Sequence, residues 1–443
     1  MVSGGMAIIL LLVAVAVIIV FTGKFKVNAF LVLIGIAFAY GLAIGLPALE
    51  VVKNIKNGFG GTLTSIGIVI VAGTIMGTIL EKTGAALAMT QAILRLVGKK
   101  RAPLAMNIAG YVVSIPVFCD SGYVILNPLN KALAKESGTS MTVMAVALAT
   151  GLYATHTMVP PTPGPIAAAG ALGADLGRVK LLGLIASVPA ALAGLLWATK
   201  VAKKYVIEPD VHESYSDIVA KFGKLPGAFM SFLPIVLPIV LILFKSVAEF
   251  PSKPFGEAGF QKFLSFIGDP VTALLLGVLV SLLLVKKGSL GEAVNGWMSQ
   301  GIKDSAMILV ITAAGGSFGA IIKVSPIVDF IKANMAALPL GMMLPFIISA
   351  ALKTAQGSST VAIVTTASIM APMLATLGLD PALTVIAIGA GSMVVSHAND
   401  SYFWVVSQFS GMPVNTAYKA YSSATAVEGI VAFATVFVLS LFV

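Results

Sequence analysis

The stretch IPVFCDSGYVILNPL (residues 115–129) places an aspartate among small and polar residues in the middle of a longer apolar segment, 103–130. A helix that crosses a bilayer needs about 20 predominantly apolar residues. Lipid tolerates a helix break at membrane depth only where protein or a water-filled cavity surrounds it. We therefore predict that this segment is a re-entrant helical hairpin with its tip at Cys119–Gly122, rather than a full span.

Three other stretches have the same character. ALKTAQGSSTVAIVTTA (351–367) breaks a second apolar segment, 340–376, which predicts a second hairpin with its tip at Gln356–Thr360. Two further spans are interrupted, one at Thr155-His156-Thr157 and one at Ser396-His397-Ala398. Gln356 follows Asp120 by 236 residues, and His397 follows His156 by 241. This nearly constant offset indicates an internal repeat.

Composition places these breaks in a membrane protein. Hydrophobic residues make up 58% of the 443-residue chain and charged residues only 10%, against about 25% charged residues in soluble domains. The predicted fold class is an all-α polytopic membrane protein of two inverted repeats, each with five transmembrane spans, one of them broken, and one re-entrant hairpin. An odd number of spans per half inverts the second half, a known plan among secondary transporters. The predicted spans are 6–22, 28–46, 64–80, 141–172, 180–199, 229–246, 269–285, 305–322, 380–407 and 423–443.

The predicted domains are a first repeat (1–199), a cytoplasmic linker (200–226) and a second repeat (227–443). Eighteen of the 28 Lys and Arg residues fall in predicted cytoplasmic loops and nine, including Lys180, in outer loops, which puts both termini outside. The amphipathic segments Ala85–Val97 and Pro326–Leu338 are predicted to lie in the interface. We expect a multi-pass protein of the inner membrane, in contact with lipid and with no nucleic-acid partner.

Intramembrane ionisable residues are candidates for function. Asp120 could carry a proton or contact substrate, or its carboxylate could be satisfied by neighbouring backbone N–H groups. His156 and His397 suit a proton relay or an anion contact, or they could be neutral core residues. Asp400 could hold a proton, orient His397 or cap the following half-helix. Asn399 could donate hydrogen bonds to a substrate carboxylate.

Hydroxyl and backbone groups at the breaks are candidate partners for a hydroxylated anion. The sites are Ser121 and Gly122 at the first tip, Thr162 and Gly164 in the proline-rich break, and Gln356, Gly357, Ser358, Ser359 and Thr360 at the second tip. Lys353 could attract a carboxylate, but we expect it to snorkel to the outer interface. The G-x-S-x-G pattern at Gly315–Gly319 lies in an apolar span and indicates close helix packing rather than a nucleophile.

These stretches, together with GTLTSIGIVIVAGTIMGTILEKTGAA (61–86), THTMVPPTPGPIAAAGALGADLG (155–177) and GAGSMVVSHANDSYFWVV (389–406), resemble the gluconate permease family of proton symporters, within the ion transporter superfamily. The resemblance extends over nearly the whole chain. It implies proton coupling, a substrate such as gluconate, a related sugar acid or D-serine, and an elevator-type fold with scaffold and transport domains, commonly dimeric.

The sequence thus predicts a secondary active transporter for proton-coupled uptake of a small hydroxy-carboxylate, in which Asp120, Asp400 and His397 handle the proton. Sodium coupling remains open, because Asp120 with Ser121, or Ser358 with Ser359 and Thr360, could supply oxygen ligands. A D-serine or glycerate permease, a channel and an intramembrane enzyme using His397 and Asp400 also remain open. No cofactor and no metal site is expected, since the single cysteine cannot build a thiolate site and no nucleotide-binding motif occurs.

Overall fold

The computed structural model describes residues 2–21, 25, 27–98, 101–210, 223–248, 255–256, 259–327, 330, 341–397 and 400–442. Within these ranges the chain is helical and contains no β-strand, as the apolar composition predicts. The helices of the first half are α1 (Gly4–Ile19), α2 (Ala29–Ala43), α3 (Ala48–Lys82), α4 (Ala85–Val97), α5 (Ala102–Val113), α6 (Cys119–Ser137), α7 (Met141–Met158), α8 (Pro163–Leu172) and α9 (Leu176–Lys200).

The second half contains nine further helices among the described residues. They are α10 (Ala228–Ala248), α11 (Gly259–Ile267), α12 (Pro270–Leu282), α13 (Leu290–Lys323), α14 (Met343–Gln356), α15 (Ser359–Met370), α16 (Pro381–Gly391), α17 (Ser401–Phe409) and α18 (Val414–Leu439). A π-helical turn, Tyr418–Ser422, lies near the start of α18.

Four segments are long and apolar enough to cross a bilayer unaided: Met141–Leu172, Leu176–Lys204, Leu290–Lys323 and Val414–Leu439. Two bent segments, one within α3 and one formed by α11 and α12, bring the number to six in the described part of the chain. The most apolar window of Met141–Leu172 is entirely buried within the protein. The broken span is therefore enclosed by protein, which is the setting that interrupted helices require.

The first hairpin breaks slightly earlier than predicted. α5 ends at Val113 and α6 begins at Cys119, so the break is Ser114–Phe118 and the predicted tip residues form the first turn of α6. Pro116 explains the shift, because its ring removes a backbone donor and opposes a continuous helix. Asp120 consequently lies in the first turn of α6 and not in an irregular loop.

The second hairpin breaks where predicted. α14 ends at Gln356, and Gly357 adopts a left-handed conformation with φ of 91°. A residue with a side chain is disfavoured in that conformation, whereas glycine accepts it readily. Ser358 then caps α15 by accepting a hydrogen bond from the N–H of Val361.

The sequence predicted the position of the break correctly in one of the two interrupted spans and incorrectly in the other. α7 continues through His156 to Met158, and the break falls at Val159–Thr162, where Pro160 and Pro161 end the helix. Placing this interruption at residues 155–157 was therefore wrong. The other interruption lies between α16 and α17, and Ser396 and His397 fall within it, as predicted.

Small residues bring helices of the two halves into direct contact. A Cβ added at Gly58 in α3 would collide with the carbonyl oxygen of Gly316 in α13, and one added at Gly316 would collide with Thr62. The Ser317 hydroxyl donates to the carbonyl of Ile55 over 3.0 Å. The G-x-S-x-G pattern is thus a packing feature, as predicted.

The amphipathic segment Ala85–Val97 is a helix, α4, with the predicted bounds. Most of Pro326–Leu338 and residues 211–222 of the linker lie outside the described residues. Lys180, assigned above to an outer loop, instead belongs to α9 and is buried close to Pro160 and Pro161. Hydropathy alone misplaced it because a single lysine at the start of an apolar stretch resembles a loop residue.

Candidate functional site

A buried ion pair joins the second hairpin to the second interrupted span. The Nζ atom of Lys353 in α14 lies 2.5 Å from Oδ2 of Asp400, which precedes α17. The side chains of Lys353 and Asp400 are 0% and 6% exposed. Removing either charge from such a pair leaves the other buried without a partner, which is strongly unfavourable. The pair therefore ties the hairpin to the break.

Neighbouring groups complete the coordination of this pair. Lys353 also donates to the carbonyl of Gly357 at the hairpin tip, over 2.5 Å. Asp400 accepts from the Ser396 hydroxyl over 2.5 Å and caps α17 by accepting from the N–H of Tyr402 over 3.1 Å. The capping role considered for Asp400 is thus confirmed. We call Lys353, Gly357, Ser396 and Asp400 the ion-pair cluster.

The expectation that Lys353 snorkels to the membrane surface was wrong. Its Nζ is enclosed, and it lies 5.7 Å from the centroid of the Tyr153 ring in α7. An ammonium over an aromatic face is stabilised by the ring quadrupole. Its partner Asp400 stands 47 positions later in the chain, so hydropathy could not predict the pairing.

Asp120 faces the same region from the first hairpin. It is half-buried, and its Oδ1 is 3.4 Å from the Ser401 hydroxyl at the start of α17. Asp120 is also close enough to Asp400 and Lys353 to feel both charges. Further along α6, the Asn127 amide donates to the Phe409 carbonyl over 2.8 Å. α6 and α17 therefore lie side by side and bring Asp120 close to the ion-pair cluster.

The two histidines occupy different surroundings. His156, in the last turn of α7, is buried near the Phe118 ring and feels the charges of Asp400 and Lys353. Its Nδ1 has no hydrogen-bond partner among the described residues. His397 is half-buried, and its Nε2 is 2.7 Å from the carbonyl oxygen of Thr354 in α14. His397 therefore helps hold the break against the hairpin, and His156 has a buried ring nitrogen without a partner among the described residues.

The tip of the second hairpin is partly committed to local structure. The N–H of Gly357 donates to the carbonyl of Lys353 and closes α14, so it is not a free donor for an anion. Ser358 caps α15. Ser359 and Thr360 are half-buried in the first turn of α15. Asn399 and the side chain of Gln356 lie outside the described part of the structure.

The remaining predicted residues are packed against helices. The Thr162 hydroxyl donates to the Val159 carbonyl over 2.7 Å. A Cβ on Gly164 would come within 2.9 Å of Ile363 in α15, so glycine permits α8 and α15 to cross closely. Gly122 is similarly close to Leu152 in α7, whereas the adjacent Ser121 is half-buried.

Sequence reasoning missed two contributors to this site, Tyr153 and Ser396, and one further buried acid, Glu428. Tyr153 contacts Lys353, and its hydroxyl donates to the Ser392 carbonyl over 3.2 Å. The Ser396 hydroxyl donates to the Asp400 carboxylate, although the sequence had indicated only the adjacent His397 as a candidate site residue. Glu428 lies in α18 with 0% exposure. The rule that an acid inside the membrane is a functional candidate would have found Glu428 within SATAVEGIVAF (423–433).

Comparison with known families and proteins identifies bacterial permeases as relatives of this chain. Residues 6–442 match the model of the GntP family permeases. An uncharacterized permease of Haemophilus influenzae is 40% identical over 421 residues, covering 91% of this chain and 86% of that protein. A gluconate permease of Pseudomonas aeruginosa is 33% identical, with 97% and 96% covered. A D-serine transporter of Escherichia coli is 34% identical, with 97% of each chain covered.

Two solved structures share the fold. The Alcanivorax borkumensis YdaH transporter superposes with a TM-score of 0.70 at 14% identity, covering 93% of this chain and 98% of that one. Neisseria gonorrhoeae MtrF, described within a class of antimetabolite efflux pumps, gives 0.68 at 17% identity, covering 94% and 96%. The expected resemblance to the gluconate permeases is confirmed, and the chain is a transport protein rather than an enzyme. It belongs to the GntP family of permeases.

Proposed function

We propose that this permease carries a small hydroxy-carboxylate, such as gluconate or a related sugar acid, into the cell across the inner membrane together with protons. The gluconate permease from Pseudomonas aeruginosa, which aligns along almost the whole chain, supports this substrate class. The bacterial origin of the relatives supports the inner membrane.

The ion-pair cluster is the observation that carries the proposal. One ammonium, Lys353, stands among two carboxylates, Asp400 and Asp120. An arriving monoanion would add a further negative charge to a region that already has more carboxylates than cations. In a low-dielectric interior that excess is unfavourable, and a proton on Asp120 removes it. Substrate and proton therefore favour each other's binding.

Helix termini at the breaks add donors for the substrate carboxylate. α6 begins after Phe118 without a side-chain cap. α8 begins after Thr162 without one as well, but Pro163 and Pro165 have no N–H, so Gly164 is the donor in its first turn. Uncapped N-terminal N–H groups and the helix dipole attract anions. Ser121, Ser359 and Thr360 are half-buried hydroxyl carriers in the first turns of α6 and α15, and they suit the hydroxyl groups of a sugar acid.

We further propose that residues 1–199 and 227–443 are inverted repeats and that the hairpins belong to a moving transport domain of a dimeric elevator. Two features support the repeats and the grouping of the hairpins with the interrupted spans. Each half contains one hairpin and one interrupted span in the same order. The hairpin helices of one half also contact the broken span of the other, as Gly164 contacts Ile363.

D-serine is the second candidate substrate, favoured by the 34% identical D-serine transporter. Its ammonium group would need an acceptor, and Asp120 could accept it. Sodium in place of the proton is the second candidate for the coupling ion. Transport measurements on reconstituted protein separate both of these candidates from the proposal.

The test is uptake of radiolabelled gluconate into proteoliposomes under an inward proton gradient. We expect accumulation in sodium-free buffer, its collapse on adding a protonophore, and competition by unlabelled sugar acids. Accumulation that requires sodium and ignores the protonophore would rule out proton coupling. Uptake of D-serine without gluconate transport would assign the second candidate substrate.

A further inference from the structure

A second buried carboxylate, that of Glu428, lies in α18. Glu428 is 0% exposed, and both of its carboxylate oxygens lack a hydrogen-bond partner among the described residues. Asp400, by contrast, has Lys353, Ser396 and the N–H of Tyr402. An unpaired ionised carboxylate in an apolar interior is so unfavourable that such groups take up a proton instead. The surroundings of Glu428 thus fit a neutral carboxylic acid.

Glu428 is connected to the cluster through α18. One helical turn before it, Thr425 accepts a hydrogen bond from the N–H of Ser396 over 3.0 Å. The adjacent Gly429 packs so closely that an added Cβ would lie 2.8 Å from the Ala390 carbonyl oxygen. The face of α18 that carries Glu428 is therefore the face that holds the second interrupted span.

Several of the elements packed against α18 carry titratable groups. α18 packs against α7, α9, α16 and α17, against the 3₁₀ turn Ala202–Lys204, and through Phe433 against Phe346 of α14. α7 contributes His156 and Tyr153, of which Tyr153 is close enough to interact with Glu428. α17 contributes Tyr402, α14 contributes Lys353, and the 3₁₀ turn contributes Lys203 and Lys204. α16 has no titratable residue. The charged residues of α9 are Arg178, Lys180 and Lys200, near its two ends, and the π-helical turn contributes Tyr418, Lys419 and Tyr421. None of these cations forms an ion pair with Glu428 in the described structure.

We propose that Glu428 is a proton-binding site that is occupied in this conformation, and that loss of its proton disfavours the conformation. The proton does not have to travel with the substrate, because neither carboxylate oxygen of Glu428 makes a hydrogen bond to Asp120 or to the ion-pair cluster. The rate of transport would therefore depend on pH through the protonation of Glu428. This inference rests on the proposed transport function, but its first test does not.

The first test measures thermal unfolding of purified protein between about pH 5.5 and 8.5. A group that keeps its proton in the folded state but releases it in the unfolded state contributes less stability as pH rises. The melting temperature of the wild type should therefore fall at alkaline pH. Glu428→Gln has a neutral side chain of similar shape at every pH, so its melting temperature should fall less over the same range. The control Glu208→Gln, at an exposed position, should follow the wild type.

The second test is gluconate counterflow at equal pH on both sides of the vesicle. Wild-type exchange should fall at the alkaline end, and Glu428→Gln should keep at least several-fold more of its activity there. Identical pH profiles in both tests would overturn the proposal. If Glu428→Gln does not fold, Glu428→Met supplies a second neutral side chain, and failure of both would contradict a neutral native group. Absence of gluconate exchange in the wild type would instead refute the proposed substrate and leave the unfolding test intact.

Discussion

Lys353 and Asp400 form a buried ion pair with a 2.5 Å separation between Nζ and Oδ2, and this contact joins the second hairpin to the second interrupted span. The pair differs from a surface salt bridge, since both side chains are almost fully enclosed. Whatever movement accompanies transport has to preserve this contact or replace it with substrate. The stability of the protein should therefore depend on both partners.

Lys353→Met should destabilise the protein by about 3–5 kcal/mol, because it leaves Asp400 buried without a counter-charge. The double variant Lys353→Met, Asp400→Asn should recover much of that loss, since the remaining amide can still cap α17. Thermal unfolding of purified protein in detergent measures both effects. Lys323→Met, at an exposed position of α13, is the control. A single variant as stable as the wild type would contradict the burial of the pair.

Asp120→Asn should abolish proton coupling while leaving gluconate binding and exchange in place. A permanently neutral side chain removes the need for a proton at the site, so gluconate counterflow should persist while accumulation driven by a proton gradient falls at least ten-fold. Both are measured in the same proteoliposomes. Retained gradient-driven accumulation in Asp120→Asn would show that the coupled proton resides elsewhere.

Gly58→Ala should destabilise the contact between α3 and α13 by about 1–3 kcal/mol, because the added methyl group overlaps the Gly316 carbonyl. Gly60→Ala is a matched control two residues away, with no atom within 4 Å of its added Cβ. The control should be neutral or slightly stabilising, since alanine favours the helix. Equal melting temperatures for the two variants would argue against this helix contact.

Orientation in the membrane is tested by impermeant thiol labelling. In a Cys119→Ala background, Lys262→Cys should react in intact cells and Glu208→Cys only after the membrane is opened, because basic residues are concentrated on the predicted cytoplasmic side. Both positions are exposed in the structure. The reverse pattern of labelling would invert the topology.

Local chemistry explains which features the sequence could predict. Proline and glycine act on their own backbone, so the proline-rich stretch that contains Pro160 and the small residues around Gly357 signalled two breaks without any knowledge of the fold. The exact turn was less accessible, since α6 can begin at Cys119 only after Pro116 has ended α5. Small residues around Gly316 likewise indicated close packing, although not that Gly58 would be the partner.

Tertiary contacts explain what the sequence could not predict. Hydropathy alone is compatible with either a surface or a buried position for Lys353. The buried position depends on the ion pair with Asp400, which forms only in the folded chain. The position of Lys180 in α9 beside Pro161 depends in the same way on the packing of α9 against the first interrupted span. The nearly constant offset between the two halves made His156 and His397 look equivalent. In the structure, His397 contacts the Thr354 carbonyl, whereas the Nδ1 of His156 has no partner among the described residues.

The location of the substrate beside the ion-pair cluster is the central claim, and titration calorimetry with gluconate tests it most directly. A hydrogen bond lost to the substrate carboxylate should cost about 1.5–3 kcal/mol and one lost to a substrate hydroxyl about 0.5–1.5 kcal/mol, or between roughly two- and a hundred-fold in affinity. We expect that loss for Ser359→Ala and for Asn399→Ala, and wild-type affinity for Ser137→Ala, an exposed serine at the end of α6. Unchanged affinity in both Ser359→Ala and Asn399→Ala would contradict a binding site beside the ion-pair cluster.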